Sequence, residues 1–298
     1  MSKLVQELKD LKAEKDFFIG FDSDGCVFDS MEIKQKECFC PAFINNFDMQ
    51  GAATAARETW EFVNLYSKTR GVNRFLAAIR AVELLAERKE LKARGINVPS
   101  VAGLKAWTER ETKLGEASLV PEVEKNPHPD LQRALSWSED VTAAVKKIVR
   151  NLPPYPQVPG ILKAAMPKAD LMVVSQTPTG DLEREWAEHG IADFVRIIAG
   201  QERGTKAEHL EFAAVGKYDK EKILMIGDAP GDLKAAQVNG VLFYPIIPGS
   251  EELSWERFRD EGLERFFAGT YAGDFQNDLL AAFDAALPEK APWEVNKL

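Results

Sequence analysis

Apolar positions in this 298-residue chain follow two rhythms. Short runs at 18–21, 170–175, 194–199, 222–227 and 241–244 are nearly continuous, as in strands buried on both faces. Just before and between the last four lie segments with helical spacing, at 160–167, 179–189, 204–214 and 230–239. Strand and helix alternating in this way predict a doubly wound parallel sheet of the α/β class. The stretch between the first two runs is different. It is about 150 residues long, far more than a simple crossover needs. Its apolar residues recur at helical spacing over 51–66, 74–94, 100–115 and 129–150, with a turn-rich stretch from Pro121 to Pro129 and a proline-rich link at 151–160. Gly71 and Gly95 sit where helices would stop. The organisation expected is therefore a core of residues 1–29 and 156–298, with an all-helical domain, 30–155, inserted after the first strand. An amphipathic helix should open the chain, with Leu4, Leu8 and Leu11 on one face. Helices at 250–288, carrying Trp255, Phe258, Phe266, Phe267 and Phe275, should dock on the core.

The runs do not end at random. The first delivers Asp22, Ser23, Asp24 and Gly25; the second ends in Ser175; the fourth ends in Gly227 and Asp228, with Asp232 one helical turn later. Lys206 opens the helix between the third and the fourth. Parallel strands present their C-terminal tips at one edge of the sheet, where open α/β folds hold their ligands. Two carboxylates as close as Asp22 and Asp24 repel unless a cation lies between them or one is protonated. Each piece alone has a plainer reading: a turn for Asp-Ser-Asp, a helix cap for Ser175, a solvated Lys206, a helix-start acid for Asp232. The order is harder to dismiss, because these runs end in groups able to bind a metal or a phosphate.

Composition narrows the options. A net charge of −9 disfavours a nucleic-acid partner. Residues 29–155 carry 19 Lys and Arg against 17 Asp and Glu, so the acidity lies in the remainder. An acidic core suits a cation site, and a less acidic insert suits an anionic substrate. No apolar run approaches the ~20 residues of a membrane helix, and the amino terminus lacks the pattern of a secretory signal; the expected compartment is the cytoplasm. The three cysteines, Cys26, Cys38 and Cys40, have no zinc-site spacing. With only His128, His189 and His209, a histidine-based triad is not expected.

On these residues the chain resembles the haloacid dehalogenase (HAD) superfamily of phosphatases. Asp22-Ser23-Asp24-Gly25 matches its first motif, Ser175 its second, Lys206 its third, and Gly227-Asp228-Ala229-Pro230-Gly231-Asp232 its fourth. The resemblance covers residues 17–30 and about 156–245. Cys26 departs from the threonine common at that position, which bears on substrate geometry and not on reaction class. The resemblance makes 30–155 a helical cap of the kind found in phosphoglycolate phosphatase, phosphonatase and β-phosphoglucomutase. It implies that Asp22 is the nucleophile, forming an aspartyl-phosphate. Mg²⁺ would be held by Asp22, Asp228 and the backbone carbonyl of Asp24, with Asp232 acting through metal waters or on Lys206. Asp24 would be general acid and then base. Ser175 and the backbone N–H of Gln176 would hold a phosphate oxygen, and Lys206 would offset charge.

Asp24 discriminates within the family, since dehalogenases and phosphonatases lack an acid there. The expectation is a phosphatase acting on a small phosphorylated metabolite, with a phosphomutase as the alternative and a phosphonatase- or dehalogenase-type hydrolase or a non-catalytic scaffold as remote ones. Arg70 and Arg74, in the basic link Ser67–Arg74, are candidates to grip a carboxylate or second phosphate on the substrate. They could equally serve the end of a helix before Gly71.

Overall fold

The computed structural model describes residues 3–295, so Met1, Ser2 and 296–298, included in the expected core, lie outside the described residues. The described residues form two compact units, one of those up to Met31 together with 151–287, the other of 32–150 together with those from Pro288 to Val295. Among the described residues no helix is long and apolar enough to cross a membrane.

The first unit is built on five parallel strands: β1 (Phe17–Phe21), β2 (Ala169–Val174), β3 (Ile197–Ala199), β4 (Ile223–Gly227) and β5 (Leu242–Pro245), in the order β3-β2-β1-β4-β5. This is the α/β parallel sheet the alternation predicted. Side chains leave alternate faces. Ile19, Phe21, Leu171, Val173, Leu224 and Ile226 enter one core with Trp186, Trp255 and Phe266. Phe18, Met172, Val174, Ile223 and Met225 enter the other with Leu8, Leu210 and Phe283. Gly20 lies on this second face, where a Cβ would sit 3.0 Å from Val174 and 3.4 Å from Leu210. The helix Lys206–Ala213, which supplies Leu210, therefore packs close to β1. Phe21 pairs with Val173 on one side and Ile226 on the other. Asp22, Ser175 and Asp228 consequently emerge at one edge of the sheet.

The opposite edge is pinned by Asp170. Its buried carboxylate accepts hydrogen bonds from the Glu14 and Lys15 backbone N–H groups and the Tyr218 hydroxyl (2.8, 3.0 and 2.5 Å), and pairs with Arg196 at 3.1 Å. Helices Glu251–Arg257 and Asp274–Ala286, with Phe258 just beyond the first, bury Trp255, Phe258, Phe275 and Leu279 in the core on that face of the sheet.

The second unit is helical. Trp60, Trp107 and Trp137 are fully buried with Phe43, Phe47 and Phe75. Two indoles find polar partners: Trp60 donates to Gln35 at 2.9 Å and Trp137 to the Phe39 carbonyl at 3.3 Å. Three details differ from the periodicity. The expected helix 74–94 divides into Arg74–Glu87 and Lys89–Ala93. The break falls at Arg88, whose buried guanidinium is met by Glu58 and Glu90, each at 2.5 Å. Part of the stretch expected to be turns is the helix Glu116–Lys125, despite Pro121 within it. Leu119 is buried there, and Glu116 accepts from Ser138 and Thr142 at 2.8 and 2.7 Å. Finally, the described residues from Pro288 to Val295 group with this unit. Trp293 lies 4.3 Å from the Arg88 guanidinium and edge-on to Phe62.

Candidate active site

β1 ends in Phe21, and the backbone N–H of Asp22 still donates to Ile226 at 2.9 Å, so the carboxylate leaves the sheet from a fixed point. The chain then turns on itself. The Ser23 carbonyl accepts from Val27 and Phe28 at 2.9 and 3.0 Å, and Gly25 takes a φ of 75°, which a side chain would oppose. At the end of β4, Asp232 reaches back to accept from the Ala229 N–H at 3.0 Å, in the first turn of the helix Pro230–Asn239. This packing requires Gly227: a Cβ there would lie 2.4 Å from Asp232 Cγ. Thr205 and Glu208 cap each other reciprocally and start the helix that Lys206 opens.

These devices bring Asp22, Asp228 and Asp232 together. One oxygen from each lies within 4.8 Å of the others, and all three residues are buried. Lys206 Nζ bridges two of them, 2.8 Å from Asp22 and 2.5 Å from Asp232. Burial pushes the Asp22 carboxyl well above its ordinary range, against the pull of Lys206 and with the help of Asp232 and Asp228. Burial would depress Lys206, but Asp22 and Asp232 outweigh it and hold the ammonium above the usual lysine value. The cluster thus sets three buried carboxyl groups around one ammonium. All donors are hard oxygens, so the set fits a small divalent cation. The burial of Cys26 likewise raises its thiol, which points at the Ile226 carbonyl, 3.7 Å away. It is no nucleophile here.

Asp24 is held by two hydroxyls that the motif reading had not singled out. Ser30 donates to one carboxylate oxygen and Thr177 to the other, the latter at 2.7 Å. Isolated Ser and Thr residues leave no periodic trace; the only hint was their position just beyond Asp29 and Gln176. Ser175 follows β2, with its N–H on the Ala199 carbonyl at 2.9 Å and its Oγ accepting from Thr177 N–H at 3.2 Å. The Gln176 side chain donates to the Gly204 carbonyl at 2.9 Å. Arg70 and Arg74 lie in the helical unit. Arg70 is buried and donates to the Leu65 carbonyl at 2.9 Å. Arg74 donates to Ser138 at 3.1 Å and lies 3.5 Å from Glu116.

No protein-family model matches the chain, and no curated protein is similar to it in sequence. Solved structures are similar at low identity. A protein named as a phosphoglycolate phosphatase, from Lactobacillus delbrueckii subsp. bulgaricus, is 17% identical over 77% of this chain and 85% of its own, with a TM-score of 0.46. A haloacid dehalogenase-like hydrolase from Streptococcus pneumoniae is 15% identical over 80% and 90%, with a TM-score of 0.41. Protein tyrosine kinase A of Mycobacterium tuberculosis is 16% identical over 78% and 84%, also at 0.41.

Proposed function

We propose that this chain is a HAD-type phosphatase that hydrolyses a small phosphate monoester through an aspartyl-phosphate on Asp22. The observation that supports it most is the buried cluster of Asp22, Asp228 and Asp232 bridged by Lys206. Gathering three buried carboxyl groups at one point is costly for folding, and a divalent cation would offset that cost.

Asp22, Asp228 and the backbone carbonyl of Asp24 would hold Mg²⁺, with Asp232 behind them. When bound, the ion offsets charge on the transferring phosphoryl group. Asp22 attacks phosphorus in line with the departing alcohol. Lys206, already on Asp22, faces the negative charge of the incoming phosphate. Ser175 keeps its hydroxyl proton to donate, because its oxygen accepts from Thr177 within the turn. Asp24 hands a proton to the leaving alcohol and later takes one from the water that cleaves the acyl phosphate. Ser30 and Thr177 fix where that carboxylate stands.

The test is a panel of phosphorylated metabolites with Mg²⁺ or with EDTA, scored for inorganic phosphate and for isomerised ester. Release of phosphate that EDTA abolishes is expected. Asp22→Asn should remain folded and lose at least ~10³-fold in kcat, a magnitude typical of nucleophile removal. Asp24→Asn should retain phosphate on the protein after acid quench. Near-normal turnover by Asp22→Asn would overturn the nucleophile assignment, and isomerised ester in place of phosphate would make the enzyme a mutase.

A further inference from the structure

The loop that carries both Asp22 and Asp24 is held from its hidden side by two buried indoles. Ser23 stands between the two acids and is fully buried. Its Oγ accepts a hydrogen bond from Trp186 Nε1 at 3.0 Å. Three residues on, the Cys26 carbonyl accepts from Trp255 Nε1 at 2.8 Å. The indoles come from unrelated parts of the unit, the helices Thr179–Glu188 and Glu251–Arg257. Neither ring is free to turn. Trp186 is edge-on to Phe28, the residue that closes the loop, at 6.0 Å and 80°. Trp255 lies nearly parallel to Phe21, the last residue of β1, and edge-on to Phe258.

Packing alone does not call for this arrangement. Ser23 needs no hydroxyl to complete an apolar wall, and a buried indole N–H needs some acceptor but not this one. Ser23 is also the hub of the turn, since its carbonyl receives Val27 and Phe28. A rotation of Ser23 would move the Asp22 and Asp24 side chains together, because they are its immediate neighbours.

We infer that Trp186, through Ser23, is a positioning residue that sets the orientation of the Asp22–Asp24 pair, with Trp255 doing the same through Cys26. The inference rests on the phosphatase reading above and adds to it the groups that keep nucleophile and acid in register. Neither indole touches the reacting atoms. Small misplacements of reacting groups cost rate far more than binding.

The test compares Trp186→Phe, Ser23→Ala and the double variant with wild type on p-nitrophenyl phosphate and Mg²⁺. Tyr271→Phe serves as control, because it loses another buried hydrogen bond in the same unit, from its hydroxyl to the Phe243 carbonyl. Each single variant is expected to lose about 10-fold in kcat with KM within about 2-fold, the size expected of one hydrogen bond. The double should be no worse than the poorer single, because both changes remove one interaction. Tyr271→Phe should keep wild-type kcat even if it melts lower. Wild-type kcat in Ser23→Ala, multiplying losses in the double, or an equal loss in Tyr271→Phe would each overturn the positioning role while leaving the phosphatase reading intact. A wild-type protein that hydrolyses no ester with Mg²⁺ would overturn both.

Discussion

Replacing Lys206 by Met tests the charge balance of the site without relying on turnover. The substitution keeps an unbranched stem of similar length and removes the ammonium that lies 2.8 Å from Asp22 and 2.5 Å from Asp232. Three buried carboxyl groups then face one another without that ammonium. Removing one partner of a buried ion pair costs about 3–5 kcal/mol. At ~2–4 °C per kcal/mol for a chain of this size, the metal-free variant should melt roughly 6–20 °C below wild type. The pH dependence has a definite sign. Burial already raises the Asp22 carboxyl, and loss of Lys206 raises it further. A carboxyl raised in the folded state binds more protons there than in the unfolded chain. Stability therefore falls as pH climbs from the unfolded value toward the folded one. The variant should be closest to wild type at mildly acidic pH and furthest from it near pH 8. Mg²⁺ should restore more stability to the variant than it adds to wild type, because it enters a site with one more negative charge. Melting monitored by fluorescence at two pH values, in EDTA and in Mg²⁺, reads all three effects. A variant within about 2 °C of wild type in EDTA at pH 8, with no extra gain from Mg²⁺, would refute the reasoning.

Two further outcomes follow from single contacts. Gly227→Ala places a methyl group 2.4 Å from Asp232 Cγ; Asp232 must leave Lys206 or the Ala229 N–H, and kcat should fall ~10²-fold with a weaker response to Mg²⁺. Metal titration of the variant checks this, and an unchanged kcat would show that Asp232 is not needed where it stands. His209 is held at about 4 by burial and by the nearby Lys206. The unfolded chain takes up this proton at ~6.5 and the folded one does not, so acidification from pH 7.5 to 4.5 should cost wild type up to ~3 kcal/mol that His209→Leu is spared. Urea midpoints at the two pH values measure the difference, and a pH-independent gap between the two proteins would rule out a neutral buried imidazole.

The sheet was legible because its strands are buried on both faces and so read as short apolar runs with sharp polar ends. Asp22, Ser175 and Asp228 could be placed at one edge from that pattern alone, and Lys206 and Asp232 from the helices that follow. Legibility ended where contacts depend on tertiary placement. Nothing in the spacing of Ser30 or Thr177 announces that both donate to Asp24. Nothing in an apolar helical face tells which indole will aim its N–H at Ser23. In the helical unit, periodicity located most helices and missed two local exceptions. Arg88 breaks a helix because its buried charge collects Glu58 and Glu90. Pro121 sits inside one because Leu119 and the contacts of Glu116 compensate for a lost backbone bond. Tryptophan 293 was unreadable for a different reason: a lone aromatic near a chain end carries no direction, and only the fold shows it against Arg88.

A fold selected only for stability would not assemble this edge. Asp228 leaves the sheet at the end of β4, one strand from Asp22, and Asp232 is reached only because residue 227 has no side chain. Asp22 is fixed by a backbone bond to the neighbouring strand, and Asp232 by the amide of Ala229. Separate devices thus converge on one small volume and concentrate like charge there. Lys206 relieves that repulsion at Asp22 and Asp232. Replacing such a cluster with apolar residues of similar size is often neutral or stabilising, so its persistence needs a cause outside folding. On the proposed reading a divalent cation and a phosphate would supply one: the cation would neutralise the carboxylates, and the phosphate would meet the ammonium, the Ser175 hydroxyl and Asp22. The same asymmetry explains why the loop behind the cluster is held so firmly. Carboxylates that repel one another drift apart unless their backbone is fixed, and the indoles of Trp186 and Trp255 fix it from the side the ligand never sees.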